Sequence, residues 1–158
     1  MKILSKEING QDPHEAGMAL LQTLYGGPLP EIRRTEMGKP YFPGKDTHFS
    51  ISHTKRRVFC AVSSRPIGID GEELDRDISL ALAEKILSAG ELAQFRAASD
   101  KKRALLTFWV LKEAYAKCTG EGLRIWPNHT EFSLTDPRVR EIDGCLVAVI
   151  EKENNDAI

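Results

Sequence analysis

Apolar and polar residues alternate through HFSISHT and again through RRVFCAVSS, which sets Phe49 and Ile51, and then Val58, Cys60 and Val62, on shared faces. Alternation with a period of two marks a half-buried strand, so this segment predicts two strands joined around Thr54 to Arg57, most simply as a hairpin. IGIDGEE, residues 67–73, reads as a continuation of the same sheet. Upstream, Asp12, Pro13 and Glu15 supply an N-cap, a first-turn proline and a capping-box acid ahead of Met18, Leu20, Leu21 and Leu24. Gly26 and Gly27 end that pattern after a helix of about three turns. The following PLPEIRRTEMGKPYFPGKD, with four prolines, reads as a loop that connects rather than packs. From Ser79 the period becomes helical: LALAEKIL, a second start at Ser88, then a long segment from about Lys101 to Cys118 closed by Gly120 and Gly122. TEFSL and CLVAVIE read as closing strands, and the polar tail EKENNDAI is expected to fray. Strands and helices mixed without a regular βαβ series predict the α+β class.

A chain of 158 residues, 41% hydrophobic and 28% charged, is long enough for one compact unit with a full core. The net charge of −1 speaks against nucleic-acid binding through bulk electrostatics, so no nucleic-acid partner is expected. Cys60, Cys118 and Cys145 are odd in number and far apart, with no CxxC pair and no histidine at ligand spacing. Neither a disulfide framework nor a zinc site is indicated, and reduced thiols in a cytoplasmic protein are expected. No segment approaches the roughly 18 apolar residues of a membrane span, and MKILSKEINGQDP does not read as an export signal. The Asn128–Thr130 sequon has no force without a secretory route.

Successive side chains on a strand point to opposite faces, so Asp70 and Glu72 share one face. Two like charges side by side repel unless a cation sits between them; the plainer reading is a solvated strand end running into an acidic turn. In ALLTFWVLKEAYAKCTGEGL, residues 104–123, the first eight positions carry no charge, which predicts a buried helix. Trp109, Glu113 and Lys117, four residues apart, form one stripe. That stripe is either a surface ion pair worth about 0.3 to 0.5 kcal/mol or, because it starts where the buried segment ends, the lining of a cleft. Carboxylates from a strand (Asp70, Glu72) and a helix (Glu113) suit Mg²⁺, which shares its shell with water and phosphate oxygens. A phosphorylated substrate then calls for basic groups, and Lys39, His53 and Lys117 are available, although Lys39 alone reads as a turn lysine and His53 as a strand-end histidine.

GKPYF with HFSISHT, IGIDGEE, and FWVLKEAYAK with GEGL follow one another between Gly38 and Leu123. In that order they resemble the motifs of the 4'-phosphopantetheinyl transferase family, in particular its larger single-chain, surfactin-synthetase-activating branch. IGIDGEE is similar to the family's GIDIE or GVDIE, and the last block to its W-x-x-KEA-x-x-K. The resemblance implies an α+β fold of two similar halves in a pseudo-twofold arrangement with the active site between them. Residues 1–64 would form an N-terminal half and 65–152 a C-terminal half, with 153–158 as a tail. Only 66 residues precede IGID, so the N-terminal half is expected to be shortened, with Arg33 and Arg34 as loop residues able to supplement it. Gly71 departs from the pattern, standing where the family usually has a bulky aliphatic residue.

The implied reaction is transfer of the phosphopantetheine arm of coenzyme A to a serine of an apo acyl or peptidyl carrier protein, releasing adenosine 3',5'-bisphosphate. Carried over by position, Asp70, Glu72 and Glu113 would hold Mg²⁺, Glu113 would also serve as base, and Lys117 would stabilise charge on the transferring group. Lys39, Pro40, Ser52 and His53, with Lys117, would bind coenzyme A. Glu91 occupies the place of a further acidic residue of the family, but Ser88 and Glu91 also form a capping box that explains both. The carrier partner is acidic, which makes Lys101, Lys102 and Arg103 a candidate docking surface, and a monomer is expected. The alternative is a coenzyme A or carrier-protein binding protein of the same fold with little transferase activity.

Overall fold

In the computed structural model, residues 1–121 and 130–154 are described, and they repeat one topology twice. In the first half, strand β1 (Lys2–Glu7) leads to helix α1 (Pro13–Tyr25), the two-residue strands β2 (Arg33–Arg34) and β3 (Pro40–Tyr41), and the hairpin β4 (His48–His53) and β5 (Arg57–Ser63). In the second, β6 (Ile67–Glu73) is followed by a 3₁₀ turn (Leu80–Leu82), helices α2 (Ala83–Ile86), α3 (Ala89–Ala97) and α4 (Lys101–Thr119), and the hairpin β7 (Val139–Ile142) and β8 (Cys145–Glu151). The three-stranded antiparallel sheets have the orders β1-β5-β4 and β6-β8-β7, so each half is a strand, a helix and a hairpin whose last strand takes the centre. This is the α+β fold with two related halves.

Strand parity places the core. Val58, Cys60 and Val62 of β5 pack on α1 with Leu20, Leu21 and Phe49, while Phe59 and Ala61 turn to the other side. There they meet Ile67 and Ile69 of β6 and Cys145, Val147 and Val149 of β8. The opposite face of β8, through Leu146, Ala148 and Ile150, packs on Leu105, Phe108, Leu111 and Ala114 of α4. The order of layers is therefore α1, first sheet, second sheet, α4. Gly68 sets the last spacing, because a Cβ there would lie 1.9 Å from the carbonyl oxygen of Ala114. Only a glycine lets α4 come this close to β6.

The N-terminal helix forms as its caps dictate: Asp12 accepts a hydrogen bond from the Glu15 amide at 3.0 Å, and Gly26 ends the helix in the left-handed conformation. The β4–β5 hairpin and β8 likewise stand where their alternation put them. Three expectations are corrected. First, β6 does not extend the first sheet but pairs its backbone with β8. It meets β4 through side chains instead: Ser50 Oγ accepts the Ile69 amide at 3.0 Å and Ser52 Oγ the Gly71 amide at 3.1 Å. Second, TEFSL is not a strand, because α3 takes its backbone groups: Glu91 accepts the Phe132 amide, and Gln94 binds the Phe132 carbonyl and the Leu134 amide. Third, the proline-rich segment does pack, burying Phe42 against Tyr25 and Phe49. Gly122 and Leu123, Asn128 and His129 of the sequon, and tail positions 155–158 lie outside the described residues.

Candidate active site

The seam between β4 and β6 is where the charged residues gather. Asp70, 6% exposed on the α4 side of β6, accepts hydrogen bonds on Oδ1 from Lys117 Nζ at 3.1 Å and from Ser52 Oγ at 3.3 Å. Its Oδ2 is buried and has no hydrogen-bond partner among the described residues. Lys117 Nζ also donates to the carbonyls of Ile69 at 3.0 Å and Ile51 at 3.3 Å, which ties α4 to both strands. Two residues along β6, Glu72 accepts on Oε1 from Arg76 Nη1 at 2.6 Å and Trp109 Nε1 at 3.1 Å. Glu113, one turn before Lys117, is half-buried, and burial followed by the Asp70 carboxylate pushes its pKa up to about 7. Burial also raises Asp70 and Glu72, against the pull of Lys117 and Arg76.

Mutual repulsion is the electrostatic signature of three carboxylates sharing a neighbourhood without a sufficient counter-charge. Among the described residues no three Asp, Glu, His or Cys groups are drawn together at metal-ligating separation. The donors nevertheless suit a hard divalent cation: all three are carboxylates, and the bare Oδ2 of Asp70 is an acceptor that the protein itself does not satisfy.

Beside them opens a cavity of about 670 Å³. Glu113, Ala116 and Lys117 of α4 with its C-cap Gly120 form one wall; Lys39, Pro40, Ser50 and His53 form another. Of the stripe predicted on α4, Glu113 and Lys117 line this cleft, whereas Trp109 does not and donates to Glu72 instead. Ser52 is not part of the wall, its hydroxyl being directed to Asp70 and the Gly71 amide. Lys39 lines the cavity, but its ammonium caps the C-terminus of α4, bonding to the Lys117 carbonyl, the Cys118 carbonyl at 3.0 Å and the Ile67 carbonyl at 3.3 Å. A cation on the last carbonyls of a helix satisfies orphan acceptors, and burial lowers the Lys39 pKa there.

Glu91 stands apart from the cavity. It is fully buried, completes the Ser88 capping box, and pairs with Lys112 Nζ at 2.7 Å. The expected basic docking cluster is largely spent internally: Lys101 donates to the Arg96 and Ala98 carbonyls, and Arg103 pairs with Glu141 at 2.7 Å.

Sequence reasoning did not find His14, Met18, Ile32 and Met37, which complete the cavity, nor the role of Arg76 and Trp109 on Glu72. Arg76, four residues after Glu72, carried a local spacing signal; His14 and Met37 carried none, since only the packing of α1 and the β2–β3 turn brings them here. Arg34, noted as a loop cation, also lines the cavity, whereas Arg33 pairs with Glu31 in solvent.

The chain is 37% identical over 96 residues to 4'-phosphopantetheinyl transferase gsp of Aneurinibacillus migulanus, covering 60% of this chain and 40% of that protein. It is 42% identical over 94 residues to 4'-phosphopantetheinyl transferase Sfp of Bacillus subtilis strain 168, covering 57% and 41%. With 4'-phosphopantetheinyl transferase HetI of Nostoc it shares 32% over 122 residues, covering 68% and 52%. The chain spans about two-fifths to one-half of the length of these relatives. The family model of the 4'-phosphopantetheinyl transferase superfamily matches residues 66–150, from the start of β6 through β8 and so across Asp70, Glu72, Glu113 and Lys117, and the chain belongs to that superfamily.

Proposed function

We propose that this protein transfers the 4'-phosphopantetheine arm of coenzyme A to a serine hydroxyl of an apo acyl or peptidyl carrier protein in a Mg²⁺-dependent reaction. One observation carries the reading: Glu113 and Lys117 line the same cavity as Lys39, Pro40 and His53, although at least 60 positions of sequence separate the two groups. Coenzyme A would lie in that cavity, against the polar His53 and Arg34 and the apolar Met18, Ile32 and Phe49 of its lining. Asp70, Glu72 and Glu113 would hold Mg²⁺, which when bound supplies positive charge to the pyrophosphate.

The chain's own groups account for the proton and the positioning. Glu113, which lines the cavity one turn before Lys117, would accept the serine proton. The serine oxygen forms a bond to the β-phosphorus as the bond to the leaving adenosine 3',5'-bisphosphate breaks. Lys117, fixed by two carbonyls and Asp70, contributes a stationary positive charge beside the reacting group. The boundary between the halves falls between β5 and β6, at residues 64 and 65, with 153–158 beyond the second half. Three buried free cysteines suit a cytoplasmic protein, and no helix among the described residues is long and apolar enough to cross a membrane. A monomer, with both walls of the cavity from one chain, completes the reading.

A second reading is favoured by the engagement of Lys39 on helix carbonyls: a coenzyme A binding protein with little transfer. Intact-protein mass spectrometry of an apo acyl carrier protein incubated with this chain, coenzyme A and Mg²⁺ separates the two. Transfer adds one phosphopantetheine arm, and the gain disappears with chelator and with Glu113→Gln. Coenzyme A binding without any gain on several carriers would select the second reading.

A further inference from the structure

We infer that Trp109, locked in place by Arg76, is a positioning residue for Glu72: the pair holds one oxygen of the carboxylate so that the other faces a divalent cation. This rests on the metal reading above. Trp109 Nε1 and Arg76 Nη1 both donate to the same atom, Glu72 Oε1, at 3.1 and 2.6 Å. The Arg76 guanidinium lies over the Trp109 indole, 5.2 Å from the ring centroid, so the three side chains brace one another in a closed triangle. Oε2 of Glu72 receives no hydrogen bond among the described residues.

The neighbouring carboxylate repeats the arrangement independently. Asp70 has both of its donors, Lys117 and Ser52, on Oδ1, and its Oδ2 is buried and bare. Two carboxylates on one strand face are thus each loaded on one oxygen and open on the other, each by its own pair of donors, one from α4 and one from outside it. A glutamate loses much rotamer freedom when it is fixed, and outer-sphere donors that fix it beforehand remove that cost from ion binding. Trp109 lies one turn before Glu113, so α4 carries both a carboxylate of the site and the group that orients a second from β6. Arg76 has two opposed effects, since its charge repels a cation while its pairing orients the ligand; variants that keep the charge isolate the orientation.

The test is calorimetric titration of the chelator-stripped full chain with Mg²⁺ alone. Trp109→Phe keeps the ring and removes the donor, and is expected to weaken Mg²⁺ about tenfold, one hydrogen bond to a charged group, with the melting temperature of the metal-free protein little changed. Arg76→Lys keeps the charge and loses the planar stack, with an expected weakening of roughly threefold or more. In a Trp126→Phe background, Mg²⁺ should shift the Trp109 emission, and Glu72→Gln should abolish that shift. Wild-type binding that both variants retain within about twofold (~0.4 kcal/mol) would overturn the inference while leaving the metal reading intact. If Trp109→Phe does not fold, Arg76→Lys alone decides on the same criterion. No Mg²⁺ binding by the wild type would overturn the metal reading and the inference with it.

Discussion

Lys117 Nζ lies 3.1 Å from Oδ1 of Asp70, while Oδ2 of the same carboxylate is buried without a hydrogen-bond partner among the described residues. One oxygen is paired within the fold and the other is not, and the proposed cation would bind at the second. A saturating ion at about a hundred times its Kd stabilises a protein by about 2.7 kcal/mol, which for a chain of this size raises the melting temperature by roughly 5 to 10 °C. Wild-type protein should show that rise with Mg²⁺ in differential scanning calorimetry, and Asp70→Asn should lose it. An equal rise in the variant would place the ion elsewhere.

The carboxylate cluster also fixes how stability depends on pH. Glu113 binds its proton more tightly in the folded protein, with a pKa near 7 against an ordinary value of 4.5, so between these values the folded state holds more protons than the unfolded one. Stability of the metal-free protein must then fall as pH rises through this window, and the raised Asp70 and Glu72 act in the same direction. Urea midpoints measured from pH 5 to 7.5 should decline, and Glu113→Gln should flatten the slope. Saturating Mg²⁺ should flatten it as well, because a bound cation favours the ionised carboxylates. A rising profile would contradict the crowding of the three groups.

Glu91 and Lys112 form an ion pair with side chains 0% and 4% exposed, inside the shell that joins α3 to α4. Removing one member of such a pair leaves an uncompensated buried charge, at a cost of about 3 to 5 kcal/mol. Lys112→Met should lose stability on that scale in equilibrium unfolding, and the double variant Glu91→Gln with Lys112→Met should recover part of it. Full recovery is not expected, since Glu91 also accepts the Ser88 and Phe132 amides. A Lys112→Met variant as stable as wild type would show that the pair is solvated.

The elements legible in the sequence are those whose determinants are local. Asp12 and Gly26 bound α1 through bonds within one turn, and the β4–β5 hairpin follows from alternation alone. Of the candidate site, the pairings within one element were legible, because Glu113 and Lys117 share a helix face and Asp70 and Glu72 a strand face. What could not be read is which strand edge β6 would choose. Its apolar Ile67 and Ile69 fit either sheet, and the choice of β8 depends on a hairpin more than sixty residues away. The work of Lys39 was hidden for the same reason: a turn lysine becomes a helix cap only once α4 ends beside it. TEFSL failed as a strand because alternation records burial, and Phe132 is buried by side-chain bonds from α3 without any ladder.

Gly71, which departs from the aliphatic residue usual in the motif, has its space filled from the other sheet. A Cβ at Gly71 would lie 2.7 Å from Cε2 of Phe59, a fully buried ring of β5. Volume given up on β6 is thus taken by β5, and the strand still keeps Asp70 and Glu72 on one face. Gly71→Val alone should overpack this layer and cost about 1 to 3 kcal/mol. Phe59→Ala alone should open a cavity worth about 3 to 5 kcal/mol. Combined, the valine occupies part of the vacated space, so the double variant should be more stable than the sum of the single losses by at least about 1 kcal/mol in a urea-denaturation cycle. Strict additivity would mean that Phe59 and Gly71 do not share that space.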